Sequence, residues 1–273
     1  MQLFTTLEEI LEASDPTTKI RRFHTLYEAW QRGEAESEKA YRPKRFQTPS
    51  YADICTILPA KEHPKRPSLT TPEGKAALLH AIAHIEYSAI DLALDHCYRF
   101  QDMPRAYYDD WLGVAADEVR HFRMLEEIMQ DLGYRYGSFC VHSFLFDVAR
   151  RTDTLLERMA VVPRYLEAAG LDASPMVIQK LHRIGDKDAL RIVPVLERIL
   201  EEEVDHVRKG DRWFRWACAR EERDPSEYYA IVRRFLPDAT KRRPFVNVSG
   251  RKAAGFSCEE IRILTSQPCE DQQ

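Results

Sequence analysis

The feature that most constrains this chain is the length of its helical runs. From Thr71 onward, four stretches of roughly 25 to 35 residues carry unbroken helical grammar, which a mixed α/β fold does not use. Thr71-Pro72 places a capping threonine ahead of a first-turn proline and opens the first run, which continues to about Phe100. Pro104 opens the second, which passes Trp111, Val114, Leu125 and Ile128 and stops near Gly133. The third is expected from Ser143 to Ala169, closed by Gly170, with a short helix after Ser174-Pro175 that ends near Gly185. The fourth runs from about Lys187 to Arg220, and a further helix after Asp224-Pro225 reaches Leu236. With only 10 Gly in 273 residues, the fold class is all-α, and four such helices predict a four-helix bundle over residues 71–236.

The remainder is read as additions to that bundle. Residues 1–70 hold two helices, Leu7 to Ala13 behind a Thr6-x-x-Glu9 capping box and Thr17 to Arg32 before Gly33. A polar connector follows, punctuated by Pro43, Pro49, Pro59, Pro64 and Pro67. Residues 237–273 form a C-terminal strap with a basic cluster (Lys241, Arg242, Arg243, Arg251, Lys252) and a helical piece from Cys258 to Leu264. The three parts are expected to make one compact domain. A formal charge of −4 supplies no global field for nucleic acid or membrane. No apolar run approaches the roughly 18 residues of a membrane span. Six cysteines without a Cys-x-x-Cys pair read as free thiols, and with no signal-peptide pattern they predict a reducing, cytoplasmic compartment.

Glu-x-x-His places two metal-binding side chains on one helix face. Of nine histidines, two have Glu three residues earlier: Glu118-Val-Arg-His121 and Glu203-Val-Asp-His206. Spacing alone decides little in so acidic a chain. Context decides more, because both sit in the middle of long helices and repeat an acid-Glu-Val-x-His pattern. Trp111, Val114, Ala115 and Leu125 share the face of Glu118, and Ile199, Leu200 and Val207 flank Glu203 with Trp213 beyond. These carboxylates point into a core, where a carboxylate needs a cation. Glu86 is the one acid on the stripe of Leu79, Ile82, Ala89, Ile90 and Ala93. On the third helix Glu157 stands beside Ala160 and Val161, with Asp153 and Arg164 near, and Glu167 is the alternative. His84 is two residues from Glu86 and so faces about 200° away; His80 and His84 are read as structural or as groups supporting the ligands from behind, not as ligands.

This arrangement resembles the ferritin-like di-iron carboxylate superfamily, whose scheme is Glu, Glu-x-x-His, Glu, Glu-x-x-His. Within it the chain is similar to the bacterial family called domain of unknown function 455. The similarity covers about Thr71 to Leu236 and the tail. It rests on His80-Ala-Ile-Ala-His84-Ile-Glu86, Asp117-Glu-Val-Arg-His121, Leu156-Glu157-Arg158, Glu167-Ala-Ala-Gly-Leu-Asp172 and Glu203-Val-Asp-His206.

The resemblance implies that Glu118 and Glu203 bridge two metal ions as the catalytic pair, that Glu86 and Glu157 bind terminally, and that His121 and His206 each hold one ion. Asp117, Glu202 and Asp205 would orient the imidazoles. The implied cofactor is two Fe ions, with Mn or a mixed Mn/Fe pair also suited to oxygen and nitrogen ligands. The implied function is an oxidoreductase that activates O2 or peroxide against a small-molecule substrate in a pocket near Trp111, Phe122 and Phe144. Alternatives are an iron-oxidising or peroxide-removing protein, and a non-catalytic scaffold whose acids pair with Arg120, Arg158 and Arg164. A tRNA partner for the basic tail is the lesser reading, since no aromatic stacking platform accompanies it; a homodimer is compatible with any of these. No Gly-rich phosphate loop, nucleophile elbow or His-Glu-x-x-His occurs.

Overall fold

The computed structural model describes residues 1–270, and among them every regular element is helical, apart from two isolated β-bridges. The backbone divides into two compact units, Met1–Phe146 and Asp147–Gln273. The division falls after the second long helix, within the short helix Phe144–Arg151, so residues 1–70 belong with the first helix pair and the strap with the second.

In the first unit, α1 (Leu3–Leu11) starts ahead of the expected capping box. Its cap comes from elsewhere: the Phe4 and Thr5 amides donate to the Glu38 carboxylate at 2.7 and 2.8 Å. A carboxylate on first-turn N–H groups serves as well as a local cap. In α2 (Pro16–Gln31) the local rule holds, and Asp15 accepts from the Thr18 amide at 2.7 Å. The connector is pinned from below by Lys19, which is fully buried and donates to Ser50 Oγ (2.9 Å) and to Asp91 on the next helix. That helix, α3 (Pro72–Arg99), begins as expected with Thr71 Oγ1 accepting from the Gly74 amide. A side chain at Gly74 would strike Ser68 O at 1.9 Å, so only glycine lets the connector enter this turn. α3 packs along α4 (Arg105–Asp131), with α1 against α3 and α2 against α4. By length and composition α3 could cross a membrane, but 78% of its most apolar window is buried inside the fold. It is a core helix.

In the second unit the expected third helix is not continuous. After α5 (Phe144–Arg151) the chain breaks at Thr152, and α6 (Leu155–Val161) runs into a π-helical segment, Val162–Glu167, and then α7 (Ala168–Ile184). Pro163 explains the π segment, because it lacks an N–H and its ring crowds the preceding turn, so the helix widens there instead of ending. Gly170 and Pro175, expected at a stop and a start, lie inside α7; Gly185 (φ +65°) closes it. α8 (Lys187–Arg220) returns along α6, the π segment and α7. α9 (Tyr228–Phe235), α10 (Val248–Ala253) and α11 (Cys258–Leu264) complete the unit.

The six cysteines are not all thiols. Cys258 and Cys269 form a disulfide with Cα atoms 5.5 Å apart, while Cys55, Cys97, Cys140 and Cys218 are free. The chain after α11 doubles back, which brings together two residues whose spacing gave no signal. The compartment inferred from six thiols therefore has no support from these cysteines.

Candidate metal centre

Glu86 comes from α3, and Glu118 and His121 from α4, all at the interface where the two helices pack. Glu118 and His121 are fully buried and Glu86 is 3% exposed. His121 Nδ1 stands 3.1 Å from Glu86 Oε2 and 3.5 Å from Glu118 Oε2. One ligand atom from each of the three lies within 4.8 Å of the others. The flanking Trp111, Val114, Ala115 and Leu125 are buried as the helix pattern predicted.

The electrostatics follow from this crowding. Burial alone would depress the His121 imidazole, but the Glu118 and Glu86 carboxylates outweigh it and push the pKa up to about 11. Two carboxylates withdrawn from water need positive charge between them. In the protein without metal a proton on His121 supplies it. This cluster could hold a metal ion, which would place a larger charge at the same point.

His80 and His84 each hold hydrogen bonds to the segment that follows α4. His80 Nε2 accepts from the Gly137 amide at 2.9 Å, and His84 bridges Tyr136 Oη and His142 O, each at 2.9 Å. Burial, aided for His80 by the neighbouring His84, lowers both pKa values to about 4. Of the three aromatics expected near a pocket, Trp111 and Phe122 are buried, whereas Phe144 is 45% exposed at the start of α5 and lines no core.

In the second unit, α8 carries the echo of the first pair. His206 is fully buried and its Nδ1 lies 3.7 Å from Glu203 Oε1. Gly210 continues the same face one turn on, and a Cβ there would meet Pro163 Cβ at 2.7 Å and the Arg164 amide nitrogen at 3.1 Å. The Glu203/His206 face of α8 is therefore the face against which the π segment packs.

That contact corrects the expectation for Glu157. α7 and α8 are joined by the Gly185 turn and run antiparallel, so residue 163 stands opposite 210. Counting one residue back on α8 for each step forward puts 167 level with His206 and 157 beyond Trp213. Glu157 is thus displaced by about 15 Å along the helix from the Glu203/His206 level. Its carboxylate is also engaged: Oε2 accepts from the Asp153 and Thr154 amides in a capping box, and Oε1 accepts from Arg234 at 2.8 Å. Glu157 is a helix cap. Glu167, at the end of the π segment, has a carboxylate oxygen buried from solvent.

The acids expected to orient imidazoles sit beside basic residues on their own helices. Asp117 accepts from Arg120 at 2.8 Å, Glu202 pairs with Arg198, and Asp205 pairs with Arg208 (3.1 Å) and Lys209 (2.8 Å). Asp205 is half exposed. The arginines of the scaffold reading have other duties. Arg158 donates to Thr152 Oγ1 and Ala149 O, and Arg164 is held by Asp211 (2.6 Å) and Glu260 (2.8 Å).

Sequence reasoning passed over Asp172. This buried carboxylate accepts from Arg243 at 2.8 Å and from the fully buried Arg251 at 2.7 and 3.0 Å. The basic tail is thus partly an internal strap, not wholly a solvated one. The signal was present: Asp172 ends one of the motifs that carried the resemblance.

An uncharacterized protein of Haemophilus influenzae is 33% identical over 273 residues, spanning 95% of this chain and 92% of its own length. No solved structure matches the chain. A family model described as "Protein of unknown function (DUF455)" matches residues 12–262, and the chain belongs to that family.

Proposed function

We propose that this chain is a ferritin-like di-metal carboxylate protein that activates O2 or peroxide to oxidise a small substrate. Glu86, Glu118 and His121 from the first helix pair, with Glu203, His206 and Glu167 from the second, would hold two iron ions. The observation that carries this reading is the buried Glu118–His121 pair with Glu86 against it, repeated on α8 by a Glu203–His206 pair with a fully buried imidazole. Glu167 takes the place first given to Glu157, because it lies level with His206 on the neighbouring helix.

Iron bound there would supply the electrons that reduce O2 or peroxide. The residues of the chain supply the setting. Glu118 and Glu86 offset cationic charge, and His121 gives up its proton as metal enters. Buried Trp111, Phe122 and Leu125 exclude water around α4 and leave an apolar neighbourhood for an organic substrate.

The test is anaerobic loading with Fe(II), a count of bound metal, and mixing with O2 while the optical spectrum is followed. Two ions per chain and a stoichiometric oxidation are expected. Equal, negligible iron in wild type and in Glu118→Ala/His121→Ala overturns the metal reading in favour of a scaffold. Turnover of hundreds of Fe(II) per chain into mineral would instead identify an iron-storing protein.

A further inference from the structure

The strap in the second unit is bound to the part of its helix hairpin that departs from α geometry. A π turn displaces backbone carbonyls from their ordinary helical partners, so groups outside the helix commonly hold it open. Here those groups come from the chain beyond residue 225. Tyr228 Oη donates to Arg164 O (3.2 Å), and Arg251 Nη2 donates to Ala168 O (3.1 Å), one on each side of Glu167. The side chains are gripped as well. Arg164 is fully buried and donates to Glu260 on α11, and Asp172 receives Arg251 and Arg243.

The disulfide closes around these contacts. Glu260 follows Cys258 by two residues. Gln267 precedes Cys269 by two and accepts from the Val246 amide at 2.8 Å, while the Arg243 amide donates to Leu264 O at 2.8 Å. The bond from Cys258 to Cys269 therefore closes the loop that carries Glu260, Leu264 and Gln267, and the hydrogen bonds from Arg243 and Val246 tie that closed loop to the stretch that carries Arg243 and Arg251.

We propose that the strap is a redox-latched clamp on the π segment: with Cys258–Cys269 closed it holds the turn that positions Glu167, and opening the bond releases that turn. Its effect on metal rests on the reading of Glu167 as a ligand; its effect on the π segment does not. Opening is ordinary thiol–disulfide exchange. A dithiol reductant attacks Sγ of Cys269, the more exposed residue of the two at 8% against 0%, the S–S bond breaks, and the second thiol of the reductant displaces the mixed disulfide. Two electrons and two protons pass to the cysteines, and the reductant leaves as its own cyclic disulfide. Arg164 and Arg251 act as positioning residues through the backbone of the segment.

The test uses full-length, metal-free protein before and after dithiothreitol, with amide hydrogen exchange as the readout. Reduction is expected to raise exchange across residues 162–172 by about tenfold and to leave residues 72–131 unchanged. Glu260→Gln, with the bond intact, is expected to give a rise at the same residues, and Cys269→Ser to match the reduced protein without reductant. A rise confined to residues 257–270 overturns the clamp. Six free thiols in the oxidised protein, titrated after unfolding, overturn the latch. Fe(II) affinity, measured anaerobically in both states, is expected to fall about tenfold on reduction; equal affinities overturn the link to the metal. Protein that binds no metal in either state defeats the proposed function and leaves the exchange result to decide the clamp alone.

Discussion

His121 is where burial and charge meet most directly. Its folded pKa, raised from the ordinary 6.5 to about 11, lies above its unfolded value. The proton therefore stabilises the metal-free fold fully below pH 6.5, and that contribution is lost as pH rises toward 11. Metal must displace the same proton, so affinity should climb with pH across this window. Adding Mn(II) to weakly buffered protein at about pH 8 should release about one proton per site, and His121→Ala should abolish the release; a pH-stat reads both. His80 and His84 behave oppositely. Their pKa values are depressed to about 4, so their contribution is present above pH 6.5 and disappears as pH falls from 6.5 through 4. Exchange of residues 72–142 should accelerate over that acid range, less so in His84→Gln.

The helix hairpin of the second unit decides which acid stands level with the α8 histidine. Glu157→Gln should cost about 1 kcal/mol of stability, the worth of a cap, and leave metal binding intact. Glu167→Gln should do the reverse, lowering bound iron with little change in melting temperature; a variant pair with these outcomes exchanged would restore Glu157 as the ligand. Gly210 tests the contact beneath this assignment. Gly210→Val places methyl groups against Pro163 where even a Cβ would stand at 2.7 Å. Overpacking of this kind costs about 1 to 3 kcal/mol, and denaturant unfolding would measure it. Gly113, in α4 with nothing within 4 Å of an added Cβ, is the control: Gly113→Ala should be neutral or stabilising.

At the scale of the whole chain, each helix pair carries its own additions. Residues 1–70 cap and pin the first through Glu38 and Lys19, and the strap pins the second through Asp172 and Arg164. The Cys258–Cys269 loop spans 11 residues. Closing such a loop stabilises by about 3 kcal/mol in the chain-entropy account. Reduction should lower the melting temperature by several degrees, with the loss of exchange protection falling within residues 147–270; uniform loss over both units would refute this placement.

Local chemistry alone carried much of the result. Thr71-Pro72, Pro104 and the Gly185 turn could be read directly, because caps and breakers act within one helical turn. Glu86, Glu118, His121, Glu203 and His206 were legible as a set through their apolar faces and their repeated pattern, and three of them converge within the first unit. Tertiary structure decided the rest. Glu38 caps α1 from more than thirty residues away, so the Thr6 box was a false start. Pro163 was free to end a helix or to widen it, and the approach of Gly210 goes with widening. The widening begins only at Val162, so Glu157, five residues ahead of it, stays in the Thr154 capping box, while Glu167 at its far end is the acid that comes level with His206. The disulfide was likewise invisible, because only the fold can bring together two cysteines whose spacing says nothing.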